Sequence, residues 1–253
     1  MHFNHSEVSQ LGKKILVITD NTFLLSAFQE IVAVLLEHHF SYGYSPKNRN
    51  PEALVNLGCA VVDVKKDWQQ IASSFQIVFS LHCKQIFPVE LVNSVKCLNL
   101  HPGLNPHNRG WFPQVFSIIN ILPAGATLHE MVAEIDRGPV IAQQIVELQP
   151  QDTSLTAYNR ILNAEIELLK EWLPQILSGN YSCRDTEEGN YNGIADFNAL
   201  CHIDLNETAT FKEFINRIRA LSNPPYRNAY FLTDSGQKVY LNLELFSEND
   251  SKT

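Results

Sequence analysis

The sequence has no Cys-x-x-Cys pair, no apolar run long enough to span a membrane, no dinucleotide-binding glycine signature and no excess of basic charge. Each absence closes a class of function. The five cysteines (Cys59, Cys83, Cys97, Cys183 and Cys201) are odd in number and lie mostly within apolar runs, so reduced core thiols are expected rather than a disulfide framework. No metal site is expected, because no His or Cys set has ligand spacing. A membrane helix requires about 18 consecutive apolar residues, and the polar stretch 1–10 lacks the basic and apolar regions of a secretory leader. A cytoplasmic protein is expected. Against 27 Asp and Glu there are only 19 Lys and Arg, a formal charge of -8 that repels an extended polyanion. A small phosphate-bearing ligand held by a few local cations is still allowed. With 45 % apolar residues, 11 Gly and 12 Pro in 253 residues, collagen-like and disordered chains are excluded, and one large or two small domains are expected.

What is present first is alternation. Apolar runs of strand length at 15–19, 40–44, 60–64, 77–81 and 95–100 are separated by helical patterns. The clearest of these is Phe23, Leu24, Ala27, Phe28, Ile31, Val32, Leu35 and Leu36, and shorter helices are expected after Asp67 and over 88–93. Continuous apolar strands joined by helices predict an α/β, Rossmann-like fold with a mainly parallel sheet. The first turn, Thr19-Asp20-Asn21-Thr22, holds no glycine, which disfavours a dinucleotide site. After His101 comes a Pro- and Gly-rich loop at 102–113, of a length more often functional than idle. A short helix at 114–120 and two strands, 126–132 and 140–148, joined around Asp136, follow. A long helix from a cap near Thr153 to Gly179 should turn Leu155, Tyr158, Leu162, Ile166, Leu169 and Leu173 inward. The polar segment 180–206 is expected to be a surface linker. Beyond it lie a helix with Phe211, Phe214, Ile215, Ile218 and Leu221 on one face and a hairpin over 229–246. The expected division is a catalytic domain at 1–203 and a C-terminal piece at 204–253, too small to fold alone and so docked on the first domain or on a second subunit.

Asn99 and His101 stand two apart at the C-terminal end of an expected parallel strand, so their side chains share a face. Crevices beyond such strand ends are where ligands sit in open α/β sheets. On spacing alone the pair could equally satisfy backbone groups where the strand enters its loop, and Asp136, before Arg-Gly-Pro, is also an ordinary turn former.

Together these residues resemble a family. Asn99-Leu100-His101-Pro102-Gly103-Leu104-Asn105-Pro106, Arg109-Gly110, Gly125-Ala126-Thr127-Leu128-His129 and Asp136-Arg137-Gly138-Pro139-Val140-Ile141 are similar, in order and spacing, to the signature blocks of the folate-dependent formyltransferases. The stretches 107–117 and 222–231 narrow the resemblance to nucleotide-sugar N-formyltransferases acting on dTDP-4-amino-4,6-dideoxyglucose, and the likeness covers most of 14–232. The resemblance implies a formyltransferase fold and N10-formyltetrahydrofolate as formyl donor. It implies the amine of a dTDP-linked amino-dideoxyhexose as acceptor, and a formamido sugar for O-antigen or another surface polysaccharide as product. It implies Asn99, His101 and Asp136 as catalytic residues, and a pterin wrapped by Ser80, Leu81, His82, Cys83, Lys84, Gln85 and Ile86. Substrate contacts are implied for Arg109, Gly110, Trp111, Gln114, Tyr226, Arg227, Lys47 and Arg49, and the C-terminal piece implies a homodimer.

The residue types suit the chemistry. Attack of an amine on a formyl carbon leaves a negative oxygen that needs a donor and a positive nitrogen that must lose a proton. The Asn99 amide is expected to be that donor, worth about 3 kcal/mol in acyl transfer. An imidazole such as His101, with an ordinary pKa of about 6.5, can accept the amine proton and pass it to the departing folate nitrogen. Asp136 would orient the imidazole or a relay water. A diphosphate wants one or two cations with bidentate reach, Arg109 foremost. His107 and His129 are set aside, His129 as structural. Two other readings compete. One keeps the folate donor but uses methionyl-tRNA or glycinamide ribonucleotide as acceptor; the stretch 206–253 carries six basic and six acidic residues, no excess to hold a tRNA. The other is a non-catalytic nucleotide-sugar-binding module, which the presence of Asn99, His101 and Asp136 disfavours.

Overall fold

The computed structural model describes residues 12–248, so the polar stretch 1–10 lies outside the described residues. The chain forms two compact units, Met1–Cys97 and Leu98–Thr253.

The first unit alternates strand and helix: β1 (Lys14–Thr19), α1 (Thr22–Val32), β2 (His39–Tyr44), α2 (Glu52–Asn56), β3 (Ala60–Val61), α3 (Trp68–Ser74), β4 (Ile77–Leu81) and α4 (Val89–Ser94). β2 and β4 flank β1 and β3 flanks β2, all in parallel. Ile15 to Ile18 and all of β4 are buried, the pattern of strands covered on both faces. Asn21 starts α1 by accepting from the Leu24 N–H. The helix stops at Val32, short of the expected Leu36, which is exposed. The chain has to turn there, through Leu35 N–H to Val32 O, so that His39 can pair with Lys13 and open β2. β3 is likewise cut to two residues rather than 60–64. The Asp63 carboxylate draws the Lys65 and Lys66 amides into a turn and ends the strand.

The second unit contains β5 (Lys96–His101, which begins at the unit boundary), β6 (Arg109–Gly110), α5 (Pro113–Asn120), β7 (Ala124–Glu130), β8 (Val140–Val146) and α6 (Ser154–Ser178). Then come β9 (Tyr191–Asn192), α7 (Ile194–Cys201), α8 (Phe211–Leu221), β10 (Ser222–Asn223), β11 (Tyr226–Arg227), β12 (Ala229–Leu232) and β13 (Lys238–Leu241). The strand order β3-β2-β1-β4-β5-β7-β8, with β5, β7 and β8 antiparallel, is the expected mostly parallel α/β sheet. Thr153 caps α6 reciprocally with Thr156, and Gly179, at a φ of 77°, ends it. Leu162, Leu169 and Leu173 face inward as expected, but so do Ile161, Leu168 and Ile176, and Leu155, Tyr158 and Ile166 are only half-buried.

The segment 180–206 is not a plain linker. It holds β9 and α7, and Phe197 and Cys201 of α7 enter a core cluster with Val115, Phe116, Ala157, Ile218, Leu221 and Ala229. Spacing of Ile194, Phe197 and Cys201 at helical intervals is the signal that polar neighbours masked. The same cluster docks the C-terminal helix on α5 and α6. α8 divides its apolar residues: Ile218 and Leu221 go inward, whereas Phe211, 88 % exposed, Phe214 and Ile215 face outward. Among the described residues no helix is long and apolar enough to cross a membrane. Cys59, Cys97 and Cys201 are buried, Cys83 is half-buried and Cys183 is exposed. Burial pushes the Cys59 thiol up to about 11 and those of Cys83 and Cys97 up to about 12, so these three stay protonated at neutral pH.

Candidate active site

Asn99 and His101 point from one face of β5 toward the turn that joins β7 and β8. Register places Asn99 opposite His129 and His101 opposite Thr127. Asp136 occupies the turn at a φ of 52°, a left-handed conformation open to Asp. The turn is tight. A Cβ on Gly138 would lie 1.7 Å from the Glu130 carbonyl oxygen, and one on Gly103 would lie 2.5 Å from His101 Nε2, so both positions require a bare Cα.

The Asp136 carboxylate is the hub. Oδ2 lies 3.7 Å from His101 Nδ1 and accepts from the Gly110 N–H at 3.2 Å. Oδ1 accepts from Asn99 Nδ2 at 3.1 Å and lies 3.7 Å from His129 Nε2. Burial alone would raise the Asp136 carboxyl, but charge on His101, the His129 imidazole and the Gly110 N–H together hold it well below the usual carboxylate range. It is an anion at neutral pH.

His129, set aside on sequence, belongs to this cluster. Its Nδ1 meets the Glu130 carbonyl oxygen at 2.8 Å, and a carbonyl can only accept, so Nδ1 carries the proton. Its Nε2 lies 3.2 Å from Asn99 Nδ2. Asn99 Nδ2 thus stands between Asp136 Oδ1 and His129 Nε2, and Asn99 Oδ1 takes no hydrogen bond among the described residues.

Three further residues that sequence reasoning passed over hold the turn. Asn105 Nδ2 donates to the Asp136 carbonyl at 2.9 Å, and its N–H donates to Thr127 Oγ1 at 3.0 Å. Thr127 in turn donates to the Gly103 carbonyl at 2.7 Å, and Gln143 Nε2 reaches both Thr127 Oγ1 and the Asn105 carbonyl. Asn105 and Thr127 lie inside the motif blocks and could have been flagged; Gln143 carries no sequence signal.

The expected acceptor residues scatter. Gly110, at a φ of 93°, joins the cluster through its N–H. Arg109 beside it is only 8 % exposed, and its Nε has no hydrogen-bond partner, which leaves a buried cation available to an anion. Trp111 is exposed next to it. Gln114 is turned inward and donates to Ser154 Oγ at 3.2 Å. Tyr226 and Arg227 are exposed on β11, the Arg227 guanidinium 6.0 Å from the Tyr240 ring centre. Lys47 and Arg49 belong to the first unit, on an exposed loop after β2.

The expected donor loop also lies in the first unit. Ser80 and Leu81 are buried in β4. Gln85 ties the loop down, donating to the Val62 carbonyl and accepting from the Val64 N–H. Asp20 holds it from the other side: Oδ2 accepts from the Lys84 N–H at 2.7 Å, and Oδ1 from the Ser45 N–H and Asn48 Nδ2. The Gln85 side chain is thus spent on the loop itself, and Ile86 at its end is exposed.

A model described as "Formyl transferase" matches residues 59–173, and one described as "N-formyltransferase dimerization C-terminal domain" matches 196–247. The dTDP-4-amino-4,6-dideoxyglucose formyltransferase of Mycobacterium tuberculosis is 43 % identical over 75 % of this chain and 82 % of its own. The chain belongs to the formyltransferase family. Solved formyltransferases extend the match. A sugar N-formyltransferase from a Shewanella species has a TM-score of 0.91 and 46 % identity, over 93 % of this chain and 98 % of its own. A 4-N formyltransferase from Francisella tularensis has a TM-score of 0.89 and 42 % identity, over the same 93 % and 98 %. The likeness of this formyltransferase to those structures covers nearly the whole of each relative's chain.

Proposed function

We propose that this formyltransferase moves the formyl group of N10-formyltetrahydrofolate to the amine of a dTDP-linked amino-dideoxyhexose, dTDP-4-amino-4,6-dideoxyglucose. The observation that carries it is one buried carboxylate gathering His101, His129, the Asn99 amide and the Gly110 N–H. The Asn99 amide, held beside Asp136 and His129, is the donor to the formyl oxygen as it becomes negative on attack. His101 takes the proton the amine loses on attack and delivers it to the departing nitrogen, and the imidazolium in between is stabilised by the anionic Asp136 3.7 Å from Nδ1. An amine needs no covalent enzyme intermediate once deprotonated. Residues 80–86 hold the pterin, and Arg109 takes the diphosphate, aided by Gly110 and Trp111, with Lys47, Arg49, Gln114, Tyr226 and Arg227 as further contacts. The catalytic domain is 1–203, and 204–253 makes the homodimer, supported by the exposed Phe211, Phe214 and Ile215 and by the family description of that region. The enzyme works in the cytoplasm and its formamido sugar feeds a surface polysaccharide. The test is incubation with N10-formyltetrahydrofolate and a panel of dTDP- and UDP-amino sugars, read by product mass. Formamido product from the dTDP-4-amino sugar is expected; transfer to none of the panel overturns the proposal.

A further inference from the structure

Asn108 is fully buried and sits at a left-handed φ of 51°. Its side chain is satisfied at both ends. Nδ2 donates to Ser117 Oγ at 3.2 Å, and Oδ1 accepts from Asn120 Nδ2 at 2.9 Å, Asn190 Nδ2 at 2.8 Å and Asn192 Nδ2 at 3.3 Å. Its N–H donates to Asn190 Oδ1 at 2.8 Å, which closes a reciprocal pair between residues 82 apart in sequence. A buried amide network satisfied in this way fixes one arrangement of the segments it joins, because any other leaves polar groups unpaired.

Those segments are the strand that follows His101 and the stretch 190–192. The Arg109 N–H donates to the Asn190 carbonyl at 3.1 Å and the Trp111 N–H to the Asn192 carbonyl at 2.9 Å, and β6 and β9 run parallel. Between them Gly110 is pressed so close that a Cβ would lie 2.6 Å from both the Tyr191 ring and the Asn192 carbonyl oxygen. Gly189 approaches the Pro106 carbonyl oxygen more closely still, 1.9 Å from where a Cβ would stand. Trp111 and Tyr191 are both exposed, Trp111 two residues beyond the buried Arg109 and Tyr191 opposite it in register, and the N–H of Gly110 ends on Asp136 Oδ2.

We propose that Asn108 and Asn190 are positioning residues that seat Arg109, Gly110 and Trp111 as the acceptor-side wall of the site, with Tyr191 as a contact residue for the nucleotide sugar. The formyl donor does not depend on them. This rests on the amino-sugar reading above, so the test includes a ligand-binding measurement that needs no turnover.

Three variants serve. Asn190→Ala removes both bonds to Asn108, Asn190→Asp keeps the acceptor for the Asn108 N–H, and Tyr191→Ala leaves the network intact. Hydrogen exchange over 105–112 and 189–193, dTDP affinity, and kcat and KM for each substrate are measured. Asn190→Ala should speed exchange in both stretches, weaken dTDP about tenfold or more and lower kcat/KM for the acceptor by at least as much, the scale expected when a reacting group is displaced by about 1 Å. Donor KM should stay within about twofold. Asn190→Asp should fall between, and Tyr191→Ala should weaken dTDP without altering exchange. Wild-type dTDP affinity in Asn190→Ala despite faster exchange overturns the proposal, as does a parallel rise in donor and acceptor KM. Failure of the wild type to bind dTDP overturns it too. A wild type that binds dTDP but forms no formamido sugar sinks the functional reading alone, and the affinities still decide this one.

Discussion

Two aspartates stand in turns of this molecule, one directly after β1 and one between β7 and β8, and their surroundings differ. Asp20, in the first unit, is half-buried and accepts only from groups that do not titrate: two backbone N–H groups and the Asn48 amide. Asp136, in the second, is buried between two imidazoles. A carboxylate that gathers amides organises loops. One that gathers imidazoles can also compensate a proton as it moves.

The sharpest way to separate the two is through the imidazole Asp136 serves. His101→Ala should lower kcat by about 10²- to 10⁴-fold, the usual worth of a general base, with dTDP affinity unchanged; steady-state kinetics and calorimetry check it. Asp136→Asn comes next, with kcat reduced about 10²-fold because the imidazolium loses its counter-charge. Its effect on stability has a defined sign. The folded-state value of Asp136 lies below its unfolded one, so the stabilisation is complete above the ordinary carboxylate range near pH 4 and disappears as pH falls through the lowered folded value. Asp136→Asn should therefore lower Tm at pH 7 and converge on the wild type in acid. A constant Tm gap across that range would mean the anion adds nothing.

Asp20→Ala should have a smaller effect of a different kind. It should cost about 1 kcal/mol for the hydrogen bonds lost and raise donor KM as the 82–86 loop loosens, with kcat and acceptor KM near wild type, which two-substrate kinetics would resolve. Equal loss of kcat in Asp20→Ala and Asp136→Asn would erase the contrast. The smallest effect concerns the thiols. Cys59, Cys83 and Cys97, with their raised values, should resist alkylation at pH 7.5, and Cys183 should react first in a mass-resolved time course.

Much of this is legible in the sequence. Alternating apolar strands and helices predicted the α/β sheet, and Asn99, His101 and Asp136 stood in motif blocks whose spacing the turn between β7 and β8 obeys. What escaped notice shares one physical cause, polar residues that pair with each other instead of with water. His129 looked structural because no metal-ligand spacing accompanied it, yet it faces Asn99 across one register step. The segment 180–206 looked solvated because of its asparagines and acids, yet Asn190 and Asn192 are spent on Asn108. A pairing across 82 residues has no periodicity to find. Gln114 illustrates the converse, a polar residue in a motif block that turns to Ser154 inside the core.

The central claim is that His101, held against the anionic Asp136, carries formyl transfer to a sugar amine. Its most direct test is the mass of the product formed from N10-formyltetrahydrofolate and dTDP-4-amino-4,6-dideoxyglucose by the wild type and by His101→Ala, each shown to bind dTDP. The account predicts the formamido sugar from the wild type and almost none from the variant; the same yield from both would contradict it.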